Sequence, residues 1–268
     1  ILSYDIEGSD IDRINGGAGE KWVKTSKETI QLLDKFISIS KRSKRTVDPT
    51  SLPLISVWGF DGTVAKYPSK NEIDFALENI DYRDIKINYD VDRIKIGKKG
   101  EAITLKHVER GAACSAAIDI YKNMKVDYGV VAVGGVVGVY GVKPDNSAWK
   151  ISVKDPFLYN SEDVRIAALR IKSGYVATFG GKEDKINING SQRNRILNIK
   201  TGMPLENDVA LVSILHPDAI VANTLSQICC ILDRNESQEI LNYYGAEAVF
   251  VYNDKKISIE KIINYEKK

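Results

Sequence analysis

An α+β fold, in which antiparallel sheets are packed by helices, is the architecture this sequence predicts, and three observations predict it. The first is the stretch Val126 to Pro156, where the apolar, β-branched runs 129–133, 136–142 and 149–153 are separated by the pair Gly134-Gly135 and the polar turn Lys143-Pro-Asp-Asn-Ser. Strand, glycine pair, strand, turn, strand reads as an antiparallel meander in a buried sheet. The second is a group of short strand-like runs in 84–105, IKIN, DRIKIG and AITL, broken by a glycine-containing turn. The third is helical spacing of apolar residues between these strands, as in Ile30, Leu33, Phe36 and Ile37. The glycine pair inside the meander has two readings: a bulge in an ordinary core sheet, or a turn that brings the backbone close to a ligand.

The elements follow in order. Ser9 caps a short helical turn over 9–15, ended by Gly16, Gly17 and Gly19. A helix starts at Thr25 or Ser26 and runs through KETIQLLDKFISISKRS. Its basic end, Lys41, Arg42, Lys44 and Arg45, suits a helix C-terminus and reads as a solvated end before a phosphate patch. LPLISVWGF is apolar and packed. Pro68-Ser69 introduces a helix over 71–79, with Ile73, Phe75, Ala76 and Leu77 on its face. A helix spans 111–124 and carries an alanine-rich face; the meander comes next. Residues 161–165 connect to a strand over 166–171, which leads into Ser173-Gly174. Residues 180–194 are polar, with glycine and asparagine, and read as a mobile loop. A short strand, 195–199, precedes the turn Thr201-Gly202-Met203-Pro204. A strand over 210–216, helices over 217–232 and 238–243, and a closing strand over 248–252 complete the pattern, before a charged tail expected to fray.

At 268 residues the chain, 1–268, is expected to form one large domain or two intimate lobes, long enough for a sizeable core. Its 43% hydrophobic and 28% charged residues place it among soluble globular proteins. A net charge of +2, with lysines and carboxylates interspersed, argues against a nucleic-acid partner. No apolar run approaches a membrane span. ILSYDIEGSD is polar from its start, so a targeting segment would lie upstream of Ile1. The cysteines, Cys114, Cys229 and Cys230, form no C-x-x-C and call for no disulfide, which fits the cytosol or an extracytoplasmic protein without bridges.

Chemistry is not announced by a Walker loop, a dinucleotide fingerprint or a zincin motif. His107 and His216 are the only histidines, which excludes a multi-histidine metal site. What remains is a series of turn-like signatures: Asp48-Pro-Thr, Gly134-Gly135, Ser173-Gly174, Thr201-Gly202-x-Pro204 and the helix around Ala222-Asn223. Each alone is more commonly structural than functional.

In that order they resemble the FAD:protein FMN transferases, the ApbE family, and the likeness runs almost end to end. LSYDIEGSDIDRIN is similar to an early family segment, DPT…PLISVWGF to its DpT…PL…Wgf block, and YPSKNEIDFALENIDYRDIKI to the segment after it. VAVGGVVGVYGVKPDNSAWKISVKDP resembles its GG…G-x-kpd…W-x-i…DP block, NIKTGMP its dPxTGxP turn, and ANTLSQ its aDalsTa helix. The resemblance implies a compact, two-lobed, T-fold-related architecture with a flavin cleft between the lobes. It implies binding of FAD, use of magnesium, and attachment of FMN through a phosphoester to a Thr or Ser of an acceptor flavoprotein. It further implies an extracytoplasmic, membrane-anchored setting, with a lipid anchor upstream. Breaking a pyrophosphate calls for a dication on the phosphates and an activated hydroxyl in line, and backbone N–H groups at glycine turns can hold phosphate oxygens.

By this resemblance the cofactor-binding candidates are Tyr4, Arg110, Gly134, Gly135, Ser173, Gly174, Thr201 and Gly202. Tyr4 reads equally as a plain loop tyrosine. The family's metal-binding Asp and Thr fall on Asn223 and Gln227, four apart on one helix face. Amides offer only a neutral oxygen to a hard dication, and they can instead hydrogen-bond neighbouring backbone. The family's His and Asp near its TGxP turn fall on Arg195 and Asn198, the catalytic candidates, and the Pro that follows falls on Ile199. The DLGxxxKG block is reduced to TLKHVERG, which puts Lys106 at its glycine and Arg110 at its lysine. Lys106, Arg110 and Arg195 are either surface charges or holders of phosphate without metal. Two functions follow: a flavin transferase, weakened or inactive, or a non-catalytic relative that binds a flavin nucleotide or a partner protein.

Overall fold

A computed structural model describes residues 2–158, 165–180, 185–260 and 265–267. The chain divides into two compact units, Ile1–His107 with Lys185–Glu206 and Val108–Asp184 with Asn207–Lys268.

In the first unit, helix α1 (Asp10–Asn15) is capped by Ser9, whose hydroxyl accepts the Asp12 N–H at 2.9 Å. After strand β1 (Val23–Lys24), helix α2 (Lys27–Arg42) is capped by Ser26 and buries Leu33, Phe36 and Ile39. The Asp10 carboxylate joins the two helices. It accepts from the Ser26 N–H at 2.8 Å and from the Ser26 and Thr29 hydroxyls at 2.7 Å each. Burial by itself would raise the Asp10 pKa, but these donors together with Arg13 hold it below its ordinary value. Helix α3 (Leu52–Val57) occupies the LPLISV segment. Helix α4 (Lys70–Glu78) opens on a Ser69–Glu72 capping box. Ala76 is buried there, whereas Phe75, expected on the packed face, is 62% exposed. Two positions on from Ile73 lie about 200° round the helix, so Phe75 falls on the opposite side.

Strands β2 (Ile85–Asn88) and β3 (Arg93–Ile96) pair antiparallel, with β1 on the far side of β3. The expected strand AITL joins no sheet and makes a single parallel bridge, Ser51 to Ala102. The Asn15 side chain takes the place of a neighbouring strand, donating to the Ile103 carbonyl at 3.0 Å and accepting its N–H at 2.7 Å. The expected mobile loop over 180–194 is instead a hairpin where it is described, β9 (Lys185–Ile188) and β10 (Ser191–Asn194). Its turn is Asn189-Gly190, both at positive φ, a pairing that favours a tight hairpin; residues 181–184 lie outside the described residues. Strands β11 (Leu197–Asn198) and β12 (Met203–Pro204) form a second, shorter hairpin.

The second unit is layered. Its larger sheet is antiparallel in the order β15-β14-β13-β8-β5-β4, with β4 Gly129–Val133, β5 Val136–Tyr140, β8 Gly174–Gly180, β13 Val209–His216, β14 Glu247–Tyr252 and β15 Ile257–Glu260. A smaller sheet holds β6 (Trp149–Lys154), β7 (Arg165–Ile171) and β16 (Tyr265–Lys267). Val139, Val176, Leu211 and Val249 of the first sheet pack on Val153, Ala167, Leu169 and Ile171 of the second. Helices α5 (Glu109–Asn123) and α6 (Ala219–Ile231) pack on the larger sheet and on each other, and α7 (Arg234–Tyr244) packs on α6.

Three expectations change in this unit. The meander breaks after two strands, because the free edge of β5 is taken by β8 (Val137 opposite Val176) while β6 pairs with β7. Strand β8 lies in the middle of the sheet and was not read from sequence. The charged tail does not fray over its described part; β15 and β16 each extend a sheet. The expected connection 161–165 lies outside the described residues up to 164, and Arg165 begins β7.

Candidate functional site

Polar candidates gather at two places, one in each unit. In the second unit, Gly134 and Gly135 form a two-residue turn closing β4 on β5, with φ of 47° and 90° and Val133 opposite Val136. This is a primed hairpin turn and not a bulge. The turn is exposed. Arg110, in the first turn of α5, lies across it and donates from Nη1 to the Gly134 carbonyl at 3.0 Å. A β-carbon at Gly134 would meet the Arg110 Nε at 3.0 Å, so glycine is what lets the guanidinium lie against the turn. One residue on, Gly111 packs against the start of α6: a β-carbon there would stand 2.5 Å from the Ala219 carbonyl oxygen. Glycine at 111 therefore fixes the approach of α5 to α6. Ser173-Gly174 is an exposed turn between β7 and β8. A β-carbon on Gly174 would meet nothing closer than the His216 carbonyl at 3.4 Å, so no close approach demands that glycine.

Helix α6 carries Asn223 and Gln227 one turn apart, as their spacing predicts, both buried at 4% and 8% exposure. Gln227 Nε2 donates to the Asn223 backbone carbonyl at 3.1 Å, so that side chain turns back on its own helix. The Asp218 carboxylate caps the helix, accepting the Ile220 N–H at 2.9 Å and the Val221 N–H at 3.2 Å. Among the described residues, no three or more His, Cys, Asp or Glu side chains stand together as a metal-ligating group. Magnesium demands near-octahedral oxygen ligands, carboxylates foremost. A buried pair of neutral amides, one of them folded onto its own helix, does not fit that ion.

In the first unit, NIKTGMP closes the β11–β12 hairpin. Asn198 organises the turn: its Oδ1 accepts the Lys200 N–H at 2.9 Å, and its carbonyl accepts the Gly202 N–H at 2.7 Å. Gly202 is at φ 71°, and a β-carbon there would meet Ile73 Cγ2 at 2.3 Å. The Gly202 carbonyl accepts the buried Trp58 indole N–H at 2.8 Å. Beside the turn opens a pocket of about 370 Å³ lined by Tyr67, Arg193, Asn198, Thr201, Met203 and Glu206, among others. Arg193 crosses it, donating to the Tyr67 hydroxyl and to Glu206 Oε1, each at 2.7 Å. Arg195 is exposed and does not line this pocket. Tyr4 is half-buried, where a plain loop position would leave it exposed; the Lys106 ammonium donates to its hydroxyl and sits 4.5 Å from its ring centre.

Sequence reasoning missed the meeting of Tyr67, Arg193 and Glu206, which are distant in the chain and come together only in the fold. It also missed the buried Glu101 beside the half-buried Asp84. Glu101 is 2% exposed. Its Oε2 accepts the Lys98 N–H at 3.0 Å, while the Lys98 ammonium pairs with Asp84 at 2.5 Å. Burial, followed by the hydrogen bond and charge of Asp84, pushes the Glu101 carboxyl up to about 7.

The FAD:protein FMN transferase of Treponema pallidum is 22% identical over 271 residues, spanning 96% of this chain and 74% of the relative. That of Salmonella typhimurium is 21% identical over 258 residues, spanning 94% and 72%. Among solved structures, the ApbE protein of Thermotoga maritima superposes with a TM-score of 0.88 at 29% identity, over 97% of this chain and 84% of the other. The Pseudomonas stutzeri flavinyl transferase ApbE gives 0.84 at 22% identity, over 97% and 81%, a likeness of fold. The α+β architecture with antiparallel sheets is thus the one these structures share. The sequence model described as the ApbE family matches residues 1–250, and the chain belongs to that family.

Proposed function

We propose that this chain takes FAD as substrate and delivers FMN to a Thr or Ser hydroxyl of an acceptor protein, far more slowly than a member carrying the full set of family polar residues. In such a transfer the acceptor oxygen bonds to the FMN phosphorus. The bond from that phosphorus to the bridging oxygen breaks, AMP leaves with the electron pair, and the hydroxyl proton passes to a base. The Arg195 side chain has N–H donors and no acceptor, so it cannot take that proton. The observation that carries the reading is Asn198: an amide, not a carboxylate, with its oxygen already engaged by the Lys200 N–H. Neither residue at the family's catalytic positions can therefore take the proton, which slows the step. The exposed Gly134-Gly135 turn, which would approach the phosphates, remains in place.

The test is a thermal shift with FAD, followed by incubation with a threonine-containing acceptor domain and in-gel flavin fluorescence. A shift with slow covalent labelling supports the reading, and a shift with none leaves a flavin-binding relative that does not catalyse. A shift with rapid transfer makes the chain an ordinary transferase. No shift at millimolar FAD removes flavin binding and leaves a partner-binding scaffold, since a ligand bound only by the folded state stabilises it by mass action.

A further inference from the structure

We infer that the nucleotide is held without a divalent cation, its phosphate charge met instead by the Arg110 guanidinium at the glycine hairpin; this rests on the flavin reading above. Two features of the second unit carry it. The first is the chemistry of α6. A dication beside a pyrophosphate is held by formal negative charge, and Asn223 and Gln227 supply none. Gln227 is bonded to its own helix, and Asp218 is occupied as the helix cap. The second is Arg110. A guanidinium has five N–H donors in a planar fork. One of them bonds to the Gly134 carbonyl and leaves the others for an oxyanion. That bond, with the glycine at 134, sets the fork against the turn, so little freedom is lost when it closes on a phosphate. Gly111 packs the same turn of α5 onto the first residues of α6, the helix that carries the positions of the family's metal ligands. Arginine keeps its charge across the working pH range, so it neutralises phosphate oxygens without a metal to load or lose.

The experiment is a fluorescence titration of the whole chain with FAD, once in EDTA and once in millimolar magnesium, repeated with Arg110→Gln and Arg110→Lys. The dissociation constant should agree within about twofold between the two buffers. Arg110→Gln should weaken binding by about tenfold in both, the usual size for losing a charge-assisted contact, and Arg110→Lys should recover part of it. Arg110 is exposed, so these variants fold, and a thermal melt without ligand checks this. Binding that appears only with magnesium overturns the inference, as does an unchanged affinity in Arg110→Gln. Absence of binding in either buffer fails the flavin reading itself, a separate result.

Discussion

Two glycine turns look alike in this sequence and do different work in the two units. At Gly134-Gly135 both residues sit at positive φ in an exposed hairpin, with the Arg110 side chain against Gly134 and the Thr178 carbonyl of β8 against Gly135. At Gly202 the demand comes from packing. The turn is pressed onto Ile73 and Leu77 of α4, and its carbonyl holds the Trp58 indole. The first glycine turn leaves backbone and a cation accessible. The second is a structural joint, and its polar residues are used in holding it closed. The wider contrast follows the same line, because the first unit ties its polar groups into itself, as with Asp10, Asn198 and Glu101.

The largest effect is expected from Gly202→Val. A β-branched residue at positive φ, with its β-carbon inside Ile73, should destabilise the first unit by about 4 kcal/mol or prevent its folding, read as a loss of melting temperature. A melt within a degree of wild type would mean the turn is not packed as described.

Next in size is the pair Asn223→Asp with Gln227→Thr. A buried carboxylate without a partner should lower the metal-free melting stability by about 2 kcal/mol. Magnesium should restore it, and calorimetry should show magnesium affinity raised by about tenfold or more in FAD-loaded protein. If the unmodified chain already binds magnesium tightly, the emphasis on these two amides is misplaced.

The Glu101 prediction probes the interior of the first unit. Its carboxyl titrates at about 7 in the folded chain against an ordinary 4.5. The folded state therefore prefers the protonated form. The contribution is full below pH 4.5 and falls away as pH rises to 7 and past it. Stability lost across that window should be on the order of 2 kcal/mol. Glu101→Gln should flatten the profile and stabilise the chain at pH 8; an unaltered profile in that variant would exclude Glu101 as its source.

Smaller still is Gly134→Ala. The φ of 47° is one that alanine reaches at about 1 kcal/mol, and Arg110 can shift to make room. Stability should fall little, while FAD affinity falls with the displacement of the guanidinium. Equal losses at Gly134 and Gly202 would erase the distinction drawn between the turns.

Much of this was legible in the sequence because it is local. Ser9, Ser26 and Ser69 announce their helices through caps that satisfy N–H groups three residues away. The four-residue spacing of Asn223 and Gln227 places them on one helix face wherever the helix packs. The glycine pair was readable as special, but bulge and hairpin share one signature, and only the register of Val133 with Val136 separates them. The Asn189-Gly190 hairpin was legible in principle and was hidden by the polarity of its flanks.

By itself, then, the sequence determined the helix starts, most strand positions, the family likeness and the loss of carboxylate and imidazole at the family's polar positions. Those follow from residue type and short spacing, which need no partner. The tertiary structure alone decided that β6 leaves the meander, that β8 enters the middle of the sheet and that the tail closes both sheets. It alone brought Arg193, Tyr67 and Glu206 to one pocket and Glu101 beside Asp84. Strand neighbours, and the burial that shifts a carboxyl, are set by residues distant in the chain. Which of them meet is decided by competition for sheet edges and core volume, and no single segment encodes that outcome.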